Sequence, residues 1–123
     1  MITVIIPCYN ELKTIKTIVD KVHKIKLRKQ IIVVDDFSTD GSKEVLKELS
    51  NKEKIQIYFH DNNLGKGAAI HTALKYTTGD IVIIQDADLE YNPKDYKKLI
   101  LPILKKKTSV VYGNRVKKNN RYN

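Results

Sequence analysis

Two uninterrupted β-branched runs, Ile31-Ile32-Val33-Val34 and Ile81-Val82-Ile83-Ile84, each stop at carboxylates. The first ends in Asp35-Asp36 and the second in Asp86-Ala87-Asp88-Leu89-Glu90. A short apolar run with no polar residue on either parity reads as a strand covered on both faces, as in parallel sheets. Open α/β sheets bind ligands outside the carboxyl ends of their strands, so both acidic segments belong to the ligand edge. Where extended backbone persists past residue 84, residues 86, 88 and 90 project to one side. Carboxylates that converge without a cationic neighbour repel one another unless a hard divalent cation lies between them. Such oxygen donors suit Mg²⁺ or Mn²⁺, which bridge to substrate phosphates. The pattern predicts a metal–diphosphate site with Asp86, Asp88 and Glu90 as the metal ligands.

The rest of the chain alternates strand-like runs with helical stripes. Residues 3–6 read as the first strand, ended by Pro7. Asn10 is the expected cap of a helix whose stripe is Leu12, Ile15, Ile18, Val19, Val22 and Ile25. Residues 30–35 form the second strand, and Ser38-Thr39-Asp40-Gly41-Ser42 supplies turn and cap for a helix marked by Val45, Leu46 and Leu49. Residues 54–59 read as a third strand. Gly65-Lys66-Gly67 opens a third helix with Ala69, Ile70, Ala73 and Leu74 toward the core. After the acidic strand, Asn92-Pro93 starts a fourth helix carrying Tyr96, Leu99, Ile100 and Ile103, and residues 108–112 read as a fifth strand. This β-α-β-α-β-α-β-α-β order specifies an α/β fold, a doubly wound, mostly parallel sheet with helices on both faces and right-handed crossovers. Residues 1–113 form one domain. Residues 114–123 offer almost nothing apolar to bury and are expected to be a disordered tail.

Composition excludes several classes. No apolar stretch approaches the roughly 20 residues of a membrane span, and the apolar start at Ile2 lacks the basic segment of a signal peptide. The single cysteine, Cys8, rules out an internal disulfide and fits a reducing, cytoplasmic setting. The net charge of +9 raises the question of nucleic acid. However, the basic residues are nearly all lysines spread along helix faces, and arginine, which reads base edges and forks phosphates, occurs only at 28, 115 and 121. Lys105-Lys106-Lys107 and Lys117-Lys118 read as solvated faces, with an anionic membrane surface as the second reading. Nucleic acid is not expected as a partner.

Rival constellations fail on position. A receiver domain places its acidic pair after the first strand and a phospho-acceptor Asp after the third; here the third strand ends in Phe59-His60. A haloacid-dehalogenase motif wants Thr or Val where Glu90 stands. Gly65-Lys66-Gly67 is too short for a P-loop, and reads either as a plain turn or as backbone close to a nucleotide with Lys66 near it. His23, His60 and His71 have no partner at metal or triad spacing and read as structural. Cys8 reads as a packed thiol.

Four segments occur in order: Val4-Ile5-Ile6-Pro7-Cys8-Tyr9-Asn10-Glu11, Val33-Val34-Asp35-Asp36-Phe37-Ser38-Thr39-Asp40-Gly41-Ser42, Asn63-Leu64-Gly65-Lys66-Gly67-Ala68-Ala69 and Gln85-Asp86-Ala87-Asp88-Leu89-Glu90. Together they resemble the nucleotide-sugar-binding half of family 2 glycosyltransferases, of GT-A fold, in the dolichol-phosphate mannosyltransferase-like branch. The resemblance implies that Pro7, Tyr9, Glu11, Val34 and Asp36 surround the nucleoside. It makes Asp86 and Asp88 the Asp-x-Asp motif, with Asp88 also the catalytic residue, Ala87 lining the donor pocket and Glu90 a further metal ligand. Arg115, in Tyr112-Gly113-Asn114-Arg115, matches the family's donor-contacting arginine.

The activity implied is metal-dependent inverting transfer from a GDP- or UDP-sugar to an acceptor such as a polyprenyl phosphate at the membrane surface. The alternative is a non-catalytic nucleotide-sugar-binding or scaffold protein. Family members continue well past residue 123 into an acceptor half. The 123 residues alone are therefore expected to bind donor but transfer slowly, unless a partner chain or self-association completes the site.

Overall fold

The computed structural model describes residues 1–87 and the backbone of residues 109–112. Among the described residues, five strands and three helices follow in the order β1 (Ile2–Cys8), α1 (Ile15–His23), β2 (Lys29–Asp35), α2 (Ser42–Lys52), β3 (Gln56–Phe59), α3 (Lys66–Leu74), β4 (Ile81–Ile84) and β5 (Ser109–Tyr112). They make one sheet in the order β3-β2-β1-β4-β5, and every pairing is parallel. The expected fourth helix and the expected tail lie outside the described residues.

The two parities of each apolar run go to different layers, as a period of two requires. Val4, Ile6 and Cys8 of β1, Ile31 and Val33 of β2, and Ile81 and Ile83 of β4 face α1 and α2, packing on Ile15, Ile18, Val19, Val22, Leu46 and Leu49. Ile5, Ile32, Val34, Val82 and Ile84 face the other way, onto Ala69 and Ala73 of α3. The continuous runs are continuous because both faces are covered. Small residues on α3 let that helix lie close to β1 and β2.

Helix α1 begins later than the periodicity predicts. Thr14 is its cap position, and no side chain bonds there. Asn10 instead has φ +52°, and its Oδ1 accepts the Thr39 N–H at 2.7 Å. The amides that would open the helix are taken by the loop after β2: Asn10 N–H donates to Ser38 Oγ (2.9 Å), Glu11 N–H to Ser42 Oγ (3.1 Å) and Leu12 N–H to Asp40 Oδ2 (3.1 Å). Leu12 therefore lies outside the helix and is exposed. Strand β3 is also shorter than expected at its start, and Leu74 of α3 is exposed rather than facing the core.

The amino end of the sheet closes on Thr3, Gln30 and Gly79. Thr3 Oγ1 accepts the Gly79 N–H (2.9 Å) and donates to Gln30 Oε1 (2.8 Å). A Cβ built on Gly79 would stand 2.6 Å from Thr3 Oγ1 and 2.7 Å from the Thr3 backbone nitrogen. The chain enters β4 there only with hydrogen in that place. Gly79→Ala is expected to cost about 1–3 kcal/mol as an overpacking substitution, read as a lower denaturant midpoint at unchanged slope. A wild-type midpoint would show that β1 and the turn before β4 can separate freely.

Candidate functional site

In the order β3-β2-β1-β4-β5 the direction of winding reverses between β1 and β4. A doubly wound sheet opens its ligand crevice outside the carboxyl ends at such a reversal. The loop after Cys8 stands on one side of it and Gln85-Asp86-Ala87 on the other. Thr14, at the entrance to α1, donates its hydroxyl to the Ala87 carbonyl, tying the two sides together.

Asp86 lies at this edge with its side chain 14% exposed, ion-paired to the Lys66 ammonium from the start of α3. The carboxylates are thus not without a cationic neighbour, as the sequence pattern had suggested: Lys66 neutralises Asp86 directly. Strand β4 stops at Ile84 and the chain turns at Ala87, so the strand ends before the motif. Asp88, Glu90 and Arg115 lie outside the described residues. Among the described residues no three His, Cys, Asp or Glu side chains gather around one point. Asp86 supplies the hard oxygen donor that Mg²⁺ and Mn²⁺ take, one member of the expected set.

The second acidic strand end is a structural hub. Asp35 is fully buried and accepts Ser38 N–H (3.0 Å) and Ser38 Oγ–H (2.6 Å). Asp36, 3% exposed, accepts three hydrogen bonds of 2.8 Å: His60 Nδ1–H and Leu64 N–H on Oδ1, and Gly65 N–H on Oδ2. Burial pushes its carboxyl up, but the bonds from His60, Leu64 and Gly65 outweigh this and hold it below the usual aspartate range. Gly65 has φ +98°, a conformation glycine adopts at no steric cost, and this aims its N–H at Asp36. Burial likewise raises the Asp40 carboxyl, and bonds from Ser42 and Leu12 more than offset it.

Phe37, between these two anchored carboxylates, is held at φ +65°, a costly conformation for a bulky residue. It is fixed there because Asp36 and Ser38 on either side are both tied down. Phe37, Tyr9 and Leu64 follow β2, β1 and β3 and are all exposed. They give the carboxyl edge an apolar rim around polar groups.

The sequence-derived candidates separate accordingly. Tyr9 is exposed at the edge; Pro7 and Glu11 are partly exposed, with Glu11 Oε2 3.3 Å from Thr14 Oγ1, close enough to share the hydroxyl that the Ala87 carbonyl accepts. Lys66 and Asp86 come together. The Val34 side chain is fully buried against α3 and packs the sheet. The Ala87 methyl group is buried in the core on the α1–α2 side, and its carbonyl accepts the Thr14 hydroxyl.

Cys8 is buried; burial first, then Asp35 beside it, pushes its thiol up to about 12. It is a protonated packing group at neutral pH and no nucleophile. His60, read as structural, holds two elements together, bonded to Asp36 through Nδ1 and to Thr72 Oγ1 through Nε2 (2.8 Å). The signal that finds it is the register: Asp35 pairs with Phe59 across β2 and β3, which sets the next two residues, Asp36 and His60, side by side.

Comparison with known proteins agrees with this geometry. The sequence model of glycosyl transferase family 2 matches residues 3–123. A UDP-N-acetylglucosamine–dolichyl-phosphate N-acetylglucosaminyltransferase of Methanococcus voltae is 35% identical over 95% of this chain, which spans 53% of that protein. A dolichol-phosphate mannosyltransferase of Pyrococcus furiosus is 32% identical over 93% of the chain and 33% of that protein. The solved mannosyltransferase of Pyrobaculum calidifontis, in complex with GDP-Man and Mn²⁺, superposes with a TM-score of 0.67 at 32% identity, over 71% of this chain and 27% of that one. The chain thus spans about half, or less, of the length of these proteins. With the doubly wound parallel sheet, the reversal between β1 and β4 and the match over residues 3–123, this chain belongs to glycosyl transferase family 2 and has the GT-A fold.

Proposed function

We propose that this chain binds a nucleoside-diphosphate sugar at the carboxyl edge of its sheet and serves sugar transfer to a lipid phosphate. The observation that carries the reading is Asp86, held by Lys66 at the reversal between β1 and β4. An acidic group and a partly exposed ammonium stand together where an α/β sheet receives phosphates. Asp86, with Asp88 and Glu90, would hold Mg²⁺ or Mn²⁺; the donor chemistry fits, and a relative's structure contains Mn²⁺ with its sugar nucleotide. When bound, the ion would stabilise the leaving diphosphate.

The chain's own residues do the rest. Lys66 offers a cation to the phosphates, Tyr9 and Phe37 offer exposed ring faces to the base, and Asp36 fixes the loop that carries Lys66. Arg115 is proposed to contact the donor and Asp88 to serve the transfer itself. A phosphate acceptor is already anionic and requires no strong base for attack on the sugar. The lipid acceptor is supported by two relatives whose names specify dolichyl or dolichol phosphate. Among the described residues no helix is long and apolar enough to cross a membrane, and the lysines at 105–107 and 117–118 are proposed to meet an anionic surface.

Calorimetry with UDP, GDP and their sugars in Mn²⁺ tests the binding step, and micromolar to millimolar affinity for at least one is expected. Asp86→Ala is expected to lower that affinity at least tenfold with the fold intact by circular dichroism. No binding by any of these nucleotides would end the reading. Transfer assays with polyprenyl phosphate separate an active enzyme from a binding module.

A further inference from the structure

We propose that His60 and Thr72 are positioning residues for Lys66: the chain Thr72–His60–Asp36 seats α3 where the Lys66 ammonium reaches Asp86. The inference rests on the donor-binding reading above and extends it to residues that act through Lys66. Apolar packing alone fixes α3 weakly. Its buried residues are Ala69 and Ala73, whereas α1 buries Ile15, Ile18, Val19 and Val22. Burial energy scales with apolar area, and interlocking needs side chains longer than a methyl group. The helix also starts without a side-chain cap.

Polar ties supply what the alanines lack. At the entrance, the Leu64 and Gly65 amides donate to Asp36, each at 2.8 Å. Farther along, Thr72 Oγ1 lies 2.8 Å from His60 Nε2, and His60 Nδ1 lies 2.8 Å from Asp36 Oδ1. Asp36 is ionised at neutral pH and only accepts, so Nδ1 carries the ring hydrogen, Nε2 accepts and the Thr72 hydroxyl donates. A hydroxyl has one hydrogen to give. Thr77 gives its own to the carbonyl four residues back, that of Ala73 at 3.1 Å, as threonines near helices commonly do. Thr72 spends its hydrogen on another element.

Both ties converge on one buried carboxylate. They stand about 10 Å apart along the axis, from the helical rise per residue, and two fixed points that far apart set the height and the tilt of α3. Lys66 is the first residue of that helix. A long ammonium side chain keeps one geometry against its rotamer entropy only where its backbone holds the partner in reach. Asp86, with its side chain 14% exposed, is that partner.

Thr72→Val removes the hydroxyl at nearly constant shape, and Thr72→Ser restores it. The 123-residue chain and both variants are acetylated with a limiting amine-reactive ester, and the rate at Lys66 is read by mass spectrometry against exposed Lys75. Lys66 is expected to react at least threefold faster in Thr72→Val and at the wild-type rate in Thr72→Ser, with Lys75 unchanged. A wild-type rate in Thr72→Val, an equal rise in Thr72→Ser or a parallel rise at Lys75 overturns the tie. In folded His60→Phe, whose ring cannot accept from Thr72, adding Thr72→Val is expected to change nothing at Lys66; a further rise overturns the path through His60. Calorimetry with UDP and GDP in Mn²⁺ reads the consequence. Thr72→Val is expected to lower affinity about fivefold, a factor that converts to about 1 kcal/mol, and to have no further effect in a Lys66→Ala background. The same factor in both backgrounds overturns action through Lys66, since a merely structural loss would not depend on residue 66. Failure of the wild type to bind either nucleotide overturns the donor-binding reading and the role in donor binding with it, while the acetylation rates still decide the tie.

Discussion

Asp36→Ala is expected to lower the stability of the fold by about 3 kcal/mol, and Asp36→Asn by about half as much. The alanine variant strands three buried donors, His60 Nδ1–H and the amides of Leu64 and Gly65. In the asparagine variant the amide oxygen can keep His60 and Leu64, and only the Gly65 N–H meets a second donor. Urea unfolding gives the order directly. The pH dependence adds a second check. The carboxyl is lowered in the folded state, so its contribution is present above the ordinary aspartate range and is lost as pH falls through the lowered folded value. The gap between wild type and Asp36→Asn should therefore be full at neutral pH and shrink on acidification. A gap that is constant with pH, or absent, would show that the three donors find water instead.

Removal of divalent metal is expected to weaken nucleoside-diphosphate binding at least tenfold, and Asp88→Ala to make binding insensitive to Mn²⁺. A diphosphate approaching Asp86 and its acidic neighbours meets like charge, which costs on the order of 1–4 kcal/mol per close pair at intermediate dielectric; tenfold corresponds to about 1.4 kcal/mol. Lys66 already offsets part of this at Asp86. Lys66→Ala should therefore lower affinity in EDTA more than in Mn²⁺. Equal calorimetric affinity in EDTA and in Mn²⁺ would sink the metal bridge.

The parallel sheet was legible because its chemistry is local. Residues 31–34 and 81–84 are apolar on both parities, and only a strand covered on both faces needs that. The acids beyond them marked where each run ends: Asp86 reaches the ligand edge there, whereas Asp35 and Asp36 stay buried and are satisfied by hydrogen bonds from neighbouring loops. Helix α1 was legible in its stripe from Ile15 to Val22 but not in its start. The amides of Asn10, Glu11 and Leu12 are captured by Ser38, Ser42 and Asp40, some thirty residues away, and no local pattern announces such a partner.

Val34 and Ala87 show the same limit from the other side. Both belong to motifs that resemblance assigns to the donor pocket, yet a strand's period of two and the turn at residue 87 send their side chains into the core. His60 gave no sign by spacing along the chain. It became a partner of Asp36 only when β3 aligned beside β2 in parallel register. The sequence by itself determined which segments are buried and where each buried run ends in charge. Tertiary structure alone decided which partners those charges take, because hydrogen-bond capacity is consumed by neighbours that the fold, not the chain order, supplies.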